Sequence, residues 1–179
     1  PAFLGIYSNN VTWQAAFVYA TYMLFSHCAD MLAAMTYYPA LRRWTQYVER
    51  NLMHEGVVTH DVYGDWCMPP AEKEVINSKD SSRITEATVL STTVYYDCLR
   101  MMAEMGERLG LEADATYYRR QMRRMKDAYN EKMFHTATAQ YSNNTVTANI
   151  LSLALGLVPQ GYEEQVMQNI TDVIKNKYE

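Results

Sequence analysis

The chain has 179 residues and a formal charge of −4, enough length for one ordinary domain to bury a substantial core. Its adjacent basic pairs are Arg42-Arg43, Arg119-Arg120 and Arg123-Arg124, with no larger cluster, so the electrostatic footprint of a nucleic-acid binder is missing. No run reaches the ~18–20 apolar residues of a membrane span; the best candidate, Ala15 to Phe25, is interrupted by Thr21 and tyrosines.

From Pro1 to Ala29 there is no Asp, Glu, Lys or Arg. Such a segment is expected to be covered on most sides, by this chain, by another copy or by further sequence. Within it, Thr12 is placed to cap a helix running to about Cys28. Asp30 can cap the next helix, with Leu32, Met35, Leu41, Trp44 and Val48 near one face and Pro39 inside as a kink or a restart.

The stretch from His54 to Ser81 breaks the helical pattern. Loops beyond about 12–15 residues are uncommon in compact domains and are often functional, so 54–81 is the candidate substrate loop. Short strand signals such as Val57-Val58 open it, and it concentrates Asp61, Tyr63, Gly64, Asp65, Trp66, Pro69-Pro70 and Asp80.

After the loop, Leu90, Val94, Cys98, Met101, Met105 and Leu109 recur at steps of three and four, ended by Gly110 as a left-handed stop. Tyr118, Met122, Met125, Tyr129 and Met133 repeat that spacing from a start near Ala113, and the short link makes the two helices an antiparallel hairpin. Asn144 is placed to cap a helix through Leu155, closed by Gly156 and Pro159; a last helix carries Val166, Ile170 and Val173. Six helices in short-linked pairs predict an all-α architecture. The Met and Tyr stripes read as packing faces.

Several chemistries lack their residues. Cys28, Cys67 and Cys98 are scattered and odd in number, against a disulfide framework. His27, His54, His60 and His135 show no zinc spacing, and neither a phosphate-binding glycine loop nor a nucleophile elbow occurs. No metal or cofactor is therefore expected. Asn-x-Thr triplets at Asn10, Asn143 and Asn169 carry no weight without a secretory context.

Tyr63-Gly64-Asp65-Trp66 carries a carboxylate beside an indole. That pair suits a sugar, the ring face covering C–H groups while the carboxylate accepts from hydroxyls; an indole packing the loop with Asp65 capping the turn fits the same residues. Asp61 and Asp65, four apart, raise the idea of a paired-carboxylate hydrolase, but spacing in a loop sets no distance between them.

This loop and the segments after it resemble the catalytic domain of bacterial α-L-rhamnosidases, glycoside hydrolase family 78. The segments are Tyr63 to Cys67; Leu90 to Tyr96; Leu109-Gly110 with Asp114-Ala115 and Tyr117-Tyr118; and Asn144 to Asn149 leading to Leu153 through Pro159. Trp13 and the run from Tyr38 to Trp44 fall in the same order, so the resemblance covers nearly the whole chain. It implies that 1–179 is a partial (α/α)6 barrel, helical hairpins from a six-hairpin toroid. It also implies removal of terminal α-L-rhamnose from saccharides with inversion, by a carboxylic acid and a second carboxylate that activates water. By the same resemblance Asp65 accepts sugar hydroxyls, Trp66 faces the ring, and Tyr63 is a further contact.

The chain departs from the family pattern at Ala15, Thr21-Tyr22 and Ala29. The glutamates that serve the family as acid and base are expected before Pro1 and after Glu179, so no catalytic residue is assigned and the isolated chain is expected to be inactive. A partial toroid leaves apolar helix faces open, which predicts self-association or docking onto the remaining hairpins. The family favours a periplasmic or secreted location. Another six-hairpin glycosidase, or a non-catalytic helical scaffold or sugar-binding domain, are the alternatives.

Overall fold

In a computed structural model, residues 10–61, 65 and 84–177 are described. Helices α1 (Val11–Gln14) and α2 (Ala16–His27) are joined through Ala15, itself right-handed helical. Then come α3 (Met31–Asn51), the two-residue strands β1 (Met53–His54) and β2 (Val57–Val58), and α4 (Ala87–Arg108). The chain continues through α5 (Glu112–Met133), β3 (Phe134–His135), β4 (Gln140–Tyr141), α6 (Val146–Ala154) and α7 (Glu163–Lys177). The strands form two antiparallel hairpins, β1 with β2 and β3 with β4; the second gave no signal in the sequence. The expected all-α class holds. The long helices pair in sequence order, α2 with α3, α4 with α5 and α6 with α7, making three consecutive hairpins.

Local capping explains the starts of α1, α3 and α6 and corrects two expectations. Asp30 caps α3, accepting from Ala33 N at 3.0 Å, as expected. The first helix is capped by Asn10, whose Oδ1 accepts from Trp13 N at 2.7 Å, while Thr12 lies inside and donates its hydroxyl to the same oxygen. Likewise Thr145, not Asn144, caps α6. Asn144 takes a left-handed φ of 59°, and its side chain accepts from Asn149 Nδ2 at 2.7 Å. Gly110 and Gly156 stop α4 and α6 with positive φ.

Pro39 neither ends α3 nor marks a restart; the helix runs through it, with the ring exposed. The buried face of α3 is Ala34, Tyr38, Leu41, Thr45 and Val48. Leu32, at 72% exposure, and Met35, at 61%, point away from the core, contrary to the expected stripe. The described part of the charge-free opening is covered on one side only: Val11, Ala15, Val18 and Phe25 are buried, while Trp13, Phe17, Met23 and Leu24 are exposed.

Helix α4 is the centre of the core. Fourteen of its 22 residues are buried, more than one amphipathic stripe allows, because α1, α2, α3, α5 and α6 all pack on it. Polar groups on so buried a helix need partners. Ser91 donates to Ala87 O at 2.6 Å and Thr93 to Val89 O at 2.9 Å, while Thr92 Oγ1 accepts from Val58 N at 3.0 Å and ties β2 to the helix. Close approach also dictates Gly106, where a Cβ would stand 2.7 Å from the Tyr38 hydroxyl of α3.

Candidate functional site

Asp65 is held at one end of the hairpins by the start of α6. Its amide donates to Thr85 O at 3.2 Å, and the Thr85 hydroxyl bonds the hydroxyl of Thr145, the α6 cap, at 2.7 Å. Its carboxylate is reached directly: Thr147 Oγ1 donates to Asp65 Oδ2 at 2.9 Å. Asn143 Nδ2 adds a bond to Ile84 O at 2.8 Å, so residues 84 and 85 are fastened to the same turn. The turn is itself braced by Asn149, which accepts from Tyr141 N at 2.9 Å and donates to Thr145 O at 3.2 Å. A partly exposed carboxylate seated this way can accept hydrogen bonds from a polyhydroxylated ligand.

Of the expected site residues, only Asp65 falls among the described ones; Tyr63 and Trp66 lie outside them. The expected loop 54–81 begins as regular structure, since 57–58 pairs with 53–54, and its described remainder is Thr59 to Asp61 and Asp65. Asp61 Oδ2 accepts from Val11 N at 2.9 Å, at the first turn of α1. Asp61 and Asp65 therefore serve different helices, and that use of Asp61 is structural.

Two further features escaped the sequence reading. On α4, Arg100 donates to Asp97 at 2.7 Å and to Glu104 at 2.8 Å, while from α2 Tyr19 donates to Asp97 at 2.9 Å and Tyr22 to Glu104. Burial pushes the Tyr19 phenol well above its ordinary range, and neighbouring Cys98 and Asp97 add to it. For Tyr22 the bond to Glu104 is the main cause of a rise, so both phenols are held as donors. This part-buried network joins α2 to α4.

The second is an open cleft of about 760 Å³ lined by Tyr38, Arg42, Arg43, Gln46, Leu111 and Glu112 and crossed by an Arg42–Asp114 ion pair at 3.3 Å. It borders the end of α4, a helix about 33 Å long, opposite the end where Asp65 meets Thr85, and so does not contain Asp65.

Cys28 is exposed and Cys98 buried, both as free thiols. Among the described residues no group of three or more His, Cys, Asp or Glu side chains is placed to hold a metal, and no helix is long and apolar enough to cross a membrane.

Solved α-L-rhamnosidases share this arrangement. The enzyme from Dictyoglumus thermophilum superposes with a TM-score of 0.84 at 24% identity, covering 99% of this chain and 20% of that one. The Streptomyces avermitilis enzyme, complexed with L-rhamnose, gives 0.80 at 21% identity, over 95% of this chain and 15% of the other. A Klebsiella oxytoca rhamnosidase with rhamnose bound gives 0.68 at 18% identity, over 94% and 31%. At these identities the likeness establishes the fold, and the chain spans 15 to 31% of the length of these three relatives. No curated protein matches the chain. The family model for the bacterial alpha-L-rhamnosidase six-hairpin glycosidase domain matches residues 1–179, and the chain belongs to that family.

Proposed function

We propose that this chain forms part of a glycoside hydrolase that releases terminal α-L-rhamnose from glycosides or polysaccharides with inversion. The observation that carries the reading is the family match over all 179 residues. Two of the similar structures hold rhamnose, which supports a rhamnose-containing saccharide as the ligand here.

Asp65 is the hydroxyl acceptor in this reading, with Trp66 as the platform under the ring and Tyr63 beside them. A carboxylate held by Thr147 at 2.9 Å, with further acceptor capacity, suits that role. The acid and base of an inverting mechanism stand ~6.5–9.5 Å apart across the scissile bond. We assign neither to this chain; both come from other hairpins of the toroid, so residues 1–179 alone do not hydrolyse the substrate. A periplasmic or secreted location accompanies this reading.

The test is hydrolysis of an aryl α-L-rhamnoside by the protein expressed at the full length its gene encodes. Turnover is expected, with the β-anomer of rhamnose formed first by NMR, and Trp66→Ala is expected to weaken saccharide affinity. Cleavage of a different aryl glycoside with the rhamnoside untouched overturns the sugar assignment; no cleavage and unchanged affinity in Trp66→Ala overturn the enzyme reading.

A further inference from the structure

We infer that Thr147 is a positioning residue that aims the Asp65 carboxylate at the ligand. The inference rests on the reading of Asp65 as a sugar-hydroxyl acceptor and extends it to a residue with no sequence signal of its own.

Thr147 is the second residue of α6, and that register decides what its hydroxyl can do. Deeper in a helix, Ser and Thr hydroxyls commonly turn back to the carbonyl four residues earlier. This chain shows the habit repeatedly: Thr21 bonds Phe17 O, Thr93 bonds Val89 O, Ser152 bonds Ala148 O and Thr171 bonds Met167 O. For Thr147 the residue four back is Asn143, which precedes the Thr145 cap and lies outside the helix. Its hydroxyl instead donates outward, to a carboxylate 82 positions away in sequence.

The same turn grips Asp65 at a second point. Asp65 N bonds Thr85 O, and the Thr85 hydroxyl bonds that of Thr145, two residues before Thr147. Backbone and side chain of Asp65 are thereby referred to one rigid element, which restricts both its position and its χ rotation. A carboxylate offers about four acceptor sites over two oxygens. Thr147 occupies one on Oδ2, and among the described residues no side chain donates to Oδ1. The outcome is an acceptor with one oxygen anchored and, as far as the described residues reach, the other left to accept, at the helix end whose dipole favours a negative charge.

The chemistry predicts which substitutions matter. Thr147→Val keeps the shape and removes the donor, Thr147→Ala removes the donor with less bulk, and Thr147→Ser keeps the donor. With protein expressed at the full length its gene encodes, the dissociation constant for L-rhamnose is measured by calorimetry for these variants, for Asp65→Asn and for Thr147→Val/Asp65→Asn. Removing the donor is expected to weaken binding about tenfold, the size of one charge-assisted hydrogen bond. Thr147→Ser should remain within about twofold of the unsubstituted protein, and Thr147→Val should add nothing once Asp65 is Asn.

A Thr147→Val or Thr147→Ala variant that binds L-rhamnose like the unsubstituted protein, while Asp65→Asn does not, overturns the positioning role and leaves the reading of Asp65 standing. A loss that persists undiminished in the Asp65→Asn background assigns Thr147 a merely structural part and also overturns it. If Asp65→Asn itself binds normally, both the reading of Asp65 and the inference built on it fail.

Discussion

Replacing Gly106 by Ala tests the contact between α3 and α4, and the sign of its effect depends on one oxygen atom. In an unconstrained helix the change should stabilise by about 0.8–1 kcal/mol, because Gly loses more backbone entropy than Ala. Here the new Cβ would stand 2.7 Å from the Tyr38 hydroxyl and 3.5 Å from Ala115 N. Tyr38 is 3% exposed and its hydroxyl donates to Met102 O at 3.3 Å, so the ring has little room to withdraw. Overpacking of this kind costs about 1–3 kcal/mol, which outweighs the propensity gain; a net loss of about 1 kcal/mol is expected, or about 2–4 °C in Tm for a domain near this size. Tyr38→Phe removes the obstructing oxygen at the cost of one long hydrogen bond, about 1 kcal/mol. In that background Gly106→Ala should become neutral or stabilising. Urea unfolding of the two single variants and the double variant measures the coupling directly. If Gly106→Ala shifts stability equally in both backgrounds, the steric account of this glycine is wrong.

Two other outcomes are expected. Burial pushes the Tyr118 phenol up to about 12 from an ordinary 10, so the unfolded chain loses this proton first. The contribution of Tyr118 is intact below pH 10 and is lost between pH 10 and 12, by about 2–3 kcal/mol. A Tyr118→Phe variant that loses stability just as steeply over that interval, followed by circular dichroism, would remove Tyr118 from the account. Residues 1–179 prepared alone should self-associate through Trp13, Met23, Leu24, Leu32 and Met35, all exposed on the α1–α3 side; a monodisperse monomer by light scattering across micromolar concentrations refutes this.

The candidate site was only partly legible in the sequence. Asp65 could be singled out because a carboxylate, a glycine and an indole stand together in a long non-helical stretch, and the resemblance lent that stretch a ligand. Thr147 could not, although it lay within a quoted motif. Its role comes from facing a residue 82 positions away, and nothing in a threonine at the second position of a helix names its partner. Spacing alone also could not show that Asp61 supplies an acceptor to the first turn of α1, since that partner lies 50 positions away.

What the amino-acid sequence determined by itself was local. Asp30 three residues before Ala33, Gly110 and Gly156 at positive φ, and the step of three and four along α4 and α5 act within a turn or two, so their meaning survives without neighbours. Tertiary structure decided which faces turned inward. Leu32 and Met35 are as apolar as Leu41 and Val48, yet only the latter pair is buried, because α3 rolls until Ala34, Tyr38 and Thr45 meet the core. Helix α4 carries a serine, three threonines and a glycine that would mark a weak helix, and it is the most enclosed element because five others converge on it and its small side chains admit them. Periodicity measures how apolar a face is, but burial depends on what arrives to cover that face. For α4 the covering elements include α1 and α2, far away in sequence, as well as its neighbour α5.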